Sequence, residues 1–155
     1  MYSKIRASRT STGRHGVIRR SGLATLELAL TLSILFSICY GTIEFGYYFF
    51  VKNTMQGAAR EGCRAGIVAG AANTDVNNAA INQLVVAGLL PTGSTTSGNY
   101  TIVTSPSTVS STAVGTTLTV SITATWGVVG AYFRPMGIIG ASKVLSAACS
   151  MRKEG

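Results

Sequence analysis

The feature that most constrains this chain is the stretch of residues 23–51, which is apolar except for two glutamates and scattered serines and threonines. Residues 28–43 carry no charged side chain. As an α-helix, these 29 residues would extend about 43 Å, close to the thickness of a bilayer with its headgroups. The rest of the chain offers too little apolar surface to cover such a helix on all sides. The sequence therefore predicts a transmembrane helix rather than a buried helix of a soluble protein.

The net charge of +8 is concentrated before this stretch. Six of the thirteen basic residues precede position 21, where there is no acidic residue: Lys4, Arg6, Arg9, Arg14, Arg19 and Arg20. From Leu23 onward, seven basic and five acidic residues leave a net charge of +2. A basic run beside a hydrophobic helix predicts a cytoplasmic N-terminus and an external C-terminal part. Because no basic stripe with interleaved aromatic residues follows, nucleic acid is not an expected partner.

The outer end of the predicted helix is rich in aromatic residues and is followed by Lys52, which is typical of an interfacial belt. The aromatic residues are Tyr40, Phe45, Tyr47, Tyr48, Phe49 and Phe50. A cleaved signal peptide would have a shorter apolar core and small residues at its exit. Lipoprotein processing at Cys39 would need a small residue in place of Ile38. The sequence therefore disfavours both a cleaved signal peptide and a lipoprotein.

The junction between the basic leader and the helix reads Arg19-Arg20-Ser21-Gly22, then Leu23-Ala24-Thr25-Leu26-Glu27. This order resembles the processing site of type IV prepilins, which a membrane aspartic peptidase cuts on the cytoplasmic face. The resemblance implies cleavage after Gly22, which would make Leu23 the mature N-terminus. Glycine suits such a site because an extended backbone without a side chain enters a peptidase cleft easily.

Glu27 has an expected role in this scheme, because a carboxylate at the membrane edge is costly without a partner. The new α-amino group of Leu23 would be cationic at neutral pH. The resemblance implies that Glu27 pairs with the amine of Leu23 in a neighbouring subunit. The alternatives are pairing with its own amine one helical turn away and solvation among the lipid headgroups.

Four further segments carry a more specific resemblance. They are Ile43-Glu44-Phe45-Gly46, Asn53-Thr54-Met55-Gln56, residues 58–66 (Ala-Ala-Arg-Glu-Gly-Cys-Arg-Ala-Gly) and residues 146–154 near the C-terminus. Their order resembles the TadE-like family of pseudopilins, accessory subunits of the Tad (tight adherence, Flp) pilus system. The resemblance implies a minor pilin or pseudopilin that assembles into, initiates or anchors an adhesion pilus. Its expected partners are other pilin subunits, the pilus assembly machinery, the prepilin peptidase and the membrane.

One departure keeps a second function open. Leu28 follows Glu27, where the major Flp pilins and some pseudopilins have Tyr. The alternative is an uncleaved, single-pass, membrane-tethered adhesin or envelope binding module. Either function predicts a location in the bacterial inner membrane with the N-terminus in the cytoplasm and the C-terminus in the periplasm. The first also allows a place in an extracellular pilus.

The domain organisation follows from these segments. We expect a basic leader at 1–22, a transmembrane helix with an extracytoplasmic extension at 23–70, and a small periplasmic domain at 71–155. In the last of these, a helix start at Asn73 precedes three predicted strands. The strands are expected at 100–105, 116–126 and 142–151, the second with clear alternation of apolar and polar residues. The predicted fold class is α+β, with a long N-terminal pilin-like helix, a small helix and a three-stranded antiparallel sheet.

Small residues recur every four positions in the helix extension, at Ala58, Gly62, Gly66 and Gly70. On a helix this spacing forms one ridge, which permits close approach of another backbone. Either a helix of a partner subunit or the chain's own sheet could pack against this ridge, and the sequence favours neither.

Two cysteines, Cys63 and Cys149, fall on the outer side of the membrane, where disulfides persist. Both stand where TadE-like sequences often have Ala, within the segments that carry the resemblance. We predict a Cys63–Cys149 disulfide, with two buried free thiols as the alternative. Cys39, inside the membrane helix, is expected to be inert packing.

The sequence contains no recognisable catalytic constellation. The single histidine, His15, lies in the basic leader, so no Ser/His/Asp triad is expected. Neither metal-binding cysteine or histidine spacing nor a phosphate-binding glycine loop occurs. We expect no enzymatic activity, no metal site and no cofactor.

Overall fold

The structure is a computed structural model, and it describes residues 21–154. The basic leader, including its six cations and His15, lies outside the described residues. The elements in chain order are α1 (Ser21–Gly66), α2 (Asn73–Val86), β1 (Thr101–Ser105), β2 (Thr117–Thr125), α3 (Trp126–Val129), a 3-10 turn (Ala131–Phe133) and β3 (Val144–Arg152). A long apolar helix, a smaller helix and a three-stranded antiparallel sheet confirm the predicted α+β fold class.

The chain divides into two units, residues 1–36 and residues 37–155. The described part of the first unit is the N-terminal, apolar portion of α1. The second unit contains the remainder of α1 together with α2, α3 and the three strands. The domain boundaries expected after residues 22 and 70 stay predictions.

The sheet has the order β1-β2-β3 with both pairs antiparallel. Ile102 pairs with Ile122 on one side of β2, and Ile122 pairs with Ala147 on the other. Along β2, buried apolar residues alternate with threonines and a serine that are more exposed. This alternation is the period-two pattern of a strand with one face against a core, and it places that face toward the helices.

The outer portion of α1 and one face of α2 supply the other side of the core. Val51, Met55 and Ala59 of α1 pack with Leu84 of α2 and Trp126, among other buried residues. A second cluster lies beside the end of α1 and includes Cys63, Val76, Leu118 and Val120. Burial of these apolar side chains is the main favourable term in folding of the domain.

The ridge of small residues is covered by the chain's own elements. Ala58, Gly62 and Gly66 are buried, and a Cβ on Gly62 would lie 3.3 Å from the Val76 carbonyl oxygen. A Cβ on Gly66 would overlap a methyl carbon of Leu118 and would lie 2.8 Å from one of Val76.

Gly70 differs from the expectation. α1 ends at Gly66, and Gly70 lies in the following turn, exposed, with a φ of +78°. Because a left-handed backbone suits glycine, Gly70 serves the turn rather than the ridge.

We predict that Gly66→Ala lowers the free energy of unfolding by about 1–3 kcal/mol, because an added methyl group would overpack the buried contact with Leu118 and Val76. Gly57→Ala is the matched control, since its Cβ would meet only Gln83 Nε2 at 3.8 Å. Alanine's higher helix propensity should leave that variant as stable as wild type or up to about 1 kcal/mol more stable. Thermal unfolding of the full chain in detergent compares the two. Equal stabilities would contradict the packing at Gly66.

The predicted Cys63–Cys149 disulfide is wrong for this structure, because both cysteines are free thiols. The two residues are neighbours in the second core cluster. The Cys63 Sγ, however, lies 3.0 Å from the backbone oxygen of Cys149 and 3.9 Å from that of Leu118. The register of β3 sets this geometry by pairing Cys149 with Val120. The Cys63 thiol is therefore a buried donor to strand carbonyls, in keeping with the alternative of free thiols.

Burial, with a smaller contribution from the neighbouring Cys149, raises the pKa of the Cys63 thiol from 9.0 to about 11. The folded state thus retains this proton more firmly than the unfolded state. The protonated Cys63 thiol therefore contributes fully to the free energy of unfolding below pH 9, and this contribution is lost as the pH rises toward 11.

We therefore expect the free energy of unfolding to fall from pH 9 to pH 11, and Cys63→Ala to show a shallower fall than wild type. Cys39→Ala is the control, since this exposed cysteine lies outside the core and its removal should leave the slope unchanged. Denaturant titrations at several pH values measure the slopes. Parallel curves for wild type and Cys63→Ala would contradict the shifted pKa.

Candidate functional site

The N-terminal part of α1 exposes its apolar side chains on every side. Leu23, Leu26, Leu28 and Leu30 are all more than half exposed, and so are Ile34 and Leu35. By length and composition, α1 is a helix that can cross a membrane, and none of its most apolar window is buried within the protein. An all-round apolar surface of this kind is stable in lipid or against other apolar helices, but not in water. Together these features indicate membrane association.

The hydroxyl groups in this segment do not disturb its apolar surface. Thr31 Oγ1 donates to the Glu27 carbonyl at 2.8 Å, and Ser33 Oγ donates to the Ala29 carbonyl at 2.8 Å. Each bond returns to the carbonyl four residues earlier, the usual way for a helical hydroxyl to be satisfied in an apolar environment. The segment therefore accommodates polar residues without presenting bare hydroxyl donors to lipid.

The three residues of the predicted processing motif lie within the first two turns of α1. Gly22 is helical and has open space around the position of a Cβ, and Leu23 and Glu27 are exposed. Leu23 and Glu27 are four residues apart and therefore share one helix face. Gly22 is helical here, whereas the extended backbone was expected of the chain bound in a peptidase cleft, so cleavage after Gly22 stays a prediction.

The aromatic residues at the outer end of the apolar stretch divide into two groups. Tyr47 and Tyr48 are half-buried and face the domain, where their rings lie 5.9 Å and 5.2 Å from that of Trp126. The aromatic residues that remain exposed are Tyr40, Phe45, Phe49 and Phe50. The expected interfacial belt is therefore only partly available to lipid, because the domain packs on one side of α1 from Gly41 onward.

Glu44 is the residue in this region whose position sequence reasoning missed. It is fully buried, and its Oε1 accepts a hydrogen bond from the Ile139 amide at 2.9 Å. The segment that holds it, residues 133–139, is named here the Glu44 loop. Gly137 gives this loop a turn with a φ of +63°, and Arg134 Nη2 donates to the Ile139 carbonyl at 3.2 Å. Glu44 thus fastens the loop to α1.

A sequence signal for this contact existed. A single carboxylate among apolar and aromatic residues is costly unless it has a partner, and Glu44 is such a carboxylate. The glycine at position 41, three residues before it, is buried, and a Cβ there would lie 3.4 Å from Ile138 Cδ1. What the sequence could not provide was the partner, since the loop lies 95 residues away along the chain.

Two grooves on the domain surface are lined mainly by hydroxyl and amide side chains. One of about 380 Å³ is bordered by Asn77, Asn78, Thr95 and Thr96, among others, and one of about 390 Å³ by residues between Pro106 and Thr116. Neither lining contains a titratable side chain, which general acid–base catalysis would require. Among residues 21–154, no three His, Cys, Asp or Glu side chains come together as metal ligands.

One model of a known protein family matches most of α1, the helix that carries these residues. The model of the family described as TadE-like protein matches residues 22–64, which include the predicted processing residues, Glu44, and Ala58 and Gly62 of the small-residue ridge. No curated protein and no solved structure matches the chain. The match confirms the resemblance for residues 22–64, which are similar to TadE-like, pilin-like proteins, and it does not extend to residues 146–154.

Proposed function

We propose that this chain is a minor pilin or pseudopilin that assembles into, initiates or anchors a Tad-type adhesion pilus. A prepilin peptidase processes it after Gly22. The observation that carries the proposal is the exposed apolar surface of α1. The same helix contains the residues that match the TadE-like family, and the Gly22–Glu27 motif lies at its start. The family is a structural one, which fits a protein whose work is packing against other subunits.

The apolar helix is first a membrane anchor. Residues 23–36 expose leucine, isoleucine and phenylalanine side chains, and the basic residues of the leader precede them. Cations beside a hydrophobic helix are retained on the cytoplasmic side. The protein would therefore be a single-pass component of the bacterial inner membrane, with α2 and the sheet in the periplasm.

Cleavage would convert this anchor into an assembly element. Removal of residues 1–22 removes six cations that hold the N-terminus at the cytoplasmic face. The apolar surface of α1 is then free to leave the lipid, provided that it meets other apolar helices. Neighbouring pilin subunits supply such a surface, so the helix can exchange lipid contacts for contacts within a pilus.

Glu27 would provide a specific ion pair between subunits in this assembly. It lies one helical turn from Leu23, whose α-amino group becomes a cation after cleavage. A carboxylate surrounded by apolar helices is strongly stabilised by an opposite charge at hydrogen-bond distance. Pairing of Glu27 with the Leu23 amine of a neighbouring subunit would therefore set the axial position of one subunit against the next.

The second candidate is an uncleaved membrane-tethered adhesin or envelope binding module. Two observations favour it: Leu28 departs from the Tyr found in major Flp pilins, and Gly22 lies inside the first helical turn. The grooves lined by Ser, Thr and Asn side chains would then be its binding surfaces. Processing separates the two functions, because only the first requires a mature N-terminus at Leu23.

We predict that the chain isolated from cells with the pilus machinery lacks residues 1–22, and that Gly22→Val blocks this cleavage. The valine side chain has open space in the folded helix, so the effect would arise in the peptidase cleft. Gly46→Val is the matched control, since a Cβ at Gly46 also meets no atom within 4 Å. Intact-mass measurement reports the cleavage of each variant.

A wild-type chain that keeps its leader in membranes would overturn the processed pseudopilin and support the tethered module. Cleavage of Gly22→Val at the wild-type level would show that the cut does not depend on Gly22.

We further predict that Glu27→Gln inserts into membranes normally but copurifies severalfold less with other pilus subunits, because the neutral amide cannot pair with the Leu23 ammonium group. Glu61→Gln is the control, since Glu61 is an exposed carboxylate farther along the same helix. Membrane fractionation and quantitative copurification measure the two properties. Normal incorporation of Glu27→Gln would refute the pairing.

A further inference from the structure

The Glu44 loop exposes apolar side chains although it belongs to the folded domain. Phe133, Met136 and Ile138 are 47%, 46% and 50% exposed. Such side chains, placed close together on a surface, mark a contact with another apolar phase or with a protein. The loop is held in one conformation by Glu44 and Arg134, so its exposed side chains are presented by a fixed backbone.

The position of the loop along α1 indicates whether its apolar side chains meet lipid or water. Residues 28–43 carry no charged side chain, so the membrane-spanning segment of the proposed function ends near Gly41 and Glu44. The loop contacts α1 at this level, because Ile138 lies against Gly41 and the Ile139 amide binds Glu44. The exposed aromatic residues Tyr40 and Phe45 lie at the same level of the helix. The loop would therefore lie at the outer boundary of the hydrocarbon.

Two backbone groups of the loop are hydrogen-bonded to side chains, whereas Glu44 Oε2 and Arg134 Nε are buried without a partner. Irregular backbone at membrane depth is tolerated when its N–H and C=O groups are satisfied within the protein. The Ile139 amide donates to Glu44 Oε1, and the Ile139 carbonyl accepts from Arg134 Nη2. The Glu44 carboxylate is itself fully buried and presents no charge to lipid.

From these observations we infer that the Glu44 loop is a second membrane contact. Phe133, Met136 and Ile138 enter the outer edge of the bilayer that α1 spans, while Glu44 joins the loop to the helix. The inference rests on the membrane anchor of the proposed function. It adds a second point, besides α1, at which the protein contacts the membrane.

The test uses the full chain, with Cys39→Ala as background, in vesicles of phosphatidylethanolamine and phosphatidylglycerol. Ile138→Cys carries an environment-sensitive fluorophore in the loop, and Val86→Cys carries it on the 83%-exposed site of α2. Leu35→Cys places it in the apolar helix as a membrane control. The Cys39→Ala chain without an added cysteine serves as a control that measures how much fluorophore attaches to Cys63 and Cys149. Quenchers are attached to lipids either near the headgroup or deep in the acyl chain.

We expect the Ile138→Cys probe to be quenched several times more than the Val86→Cys probe, and more by the shallow quencher than by the deep one. The Leu35→Cys probe should respond to quenchers in the acyl region. If the loop probe behaves like the α2 probe while Leu35→Cys is quenched, the loop contact is refuted and the anchor stands. If the loop probe is shielded from water but not quenched by lipid, a protein partner covers it and the inference is overturned. Absence of quenching at Leu35→Cys would overturn both the anchor and the loop contact.

Discussion

Close packing of β2 and α2 against the small residues of α1 is the interaction on which the rest of the domain depends. At Gly62 and Gly66 there is no side chain, so Val76 and Leu118 approach the helix backbone directly. This fixes the distance and direction of the sheet relative to the outer portion of α1. The segment between β2 and β3 is thereby brought back to the helix at Glu44. Without that approach, the apolar face of β2 would remain open to water.

The same helix therefore serves two environments, and its composition changes accordingly. Its first part carries large apolar side chains on all sides, as lipid or other pilin helices require. Its later part carries alanine and glycine toward the sheet and charged residues such as Arg60 and Glu61 toward solvent. Pilin-like assembly needs both properties, because a subunit must hold a folded domain while its anchor exchanges lipid for protein contacts.

Local patterns predicted the elements of this fold well. Alternation along residues 117–125 marked β2 because a half-buried strand has a two-residue period. The helix start near Asn73 was equally legible from its polar and acidic first turn. The misses concern long-range pairing. The free thiols of Cys63 and Cys149 depend on the register of β3, and the burial of Glu44 depends on a loop far along the chain. Tyr47 and Tyr48 belong to the core for the same reason.

Hydrophobic length, charge asymmetry and periodicity are local properties of the chain, so the residues alone predicted the long apolar helix, its basic flank and the α+β order of elements. The sequence also carried the TadE-like signature, which lies within a single helix. Folding, in contrast, sets which residues of that helix pack against the domain and which remain exposed. α2 and β2 cover Gly62 and Gly66, and Ile139 is the hydrogen-bond partner of Glu44. The physical reason is that burial and hydrogen-bond satisfaction are relations between distant residues, which packing alone establishes.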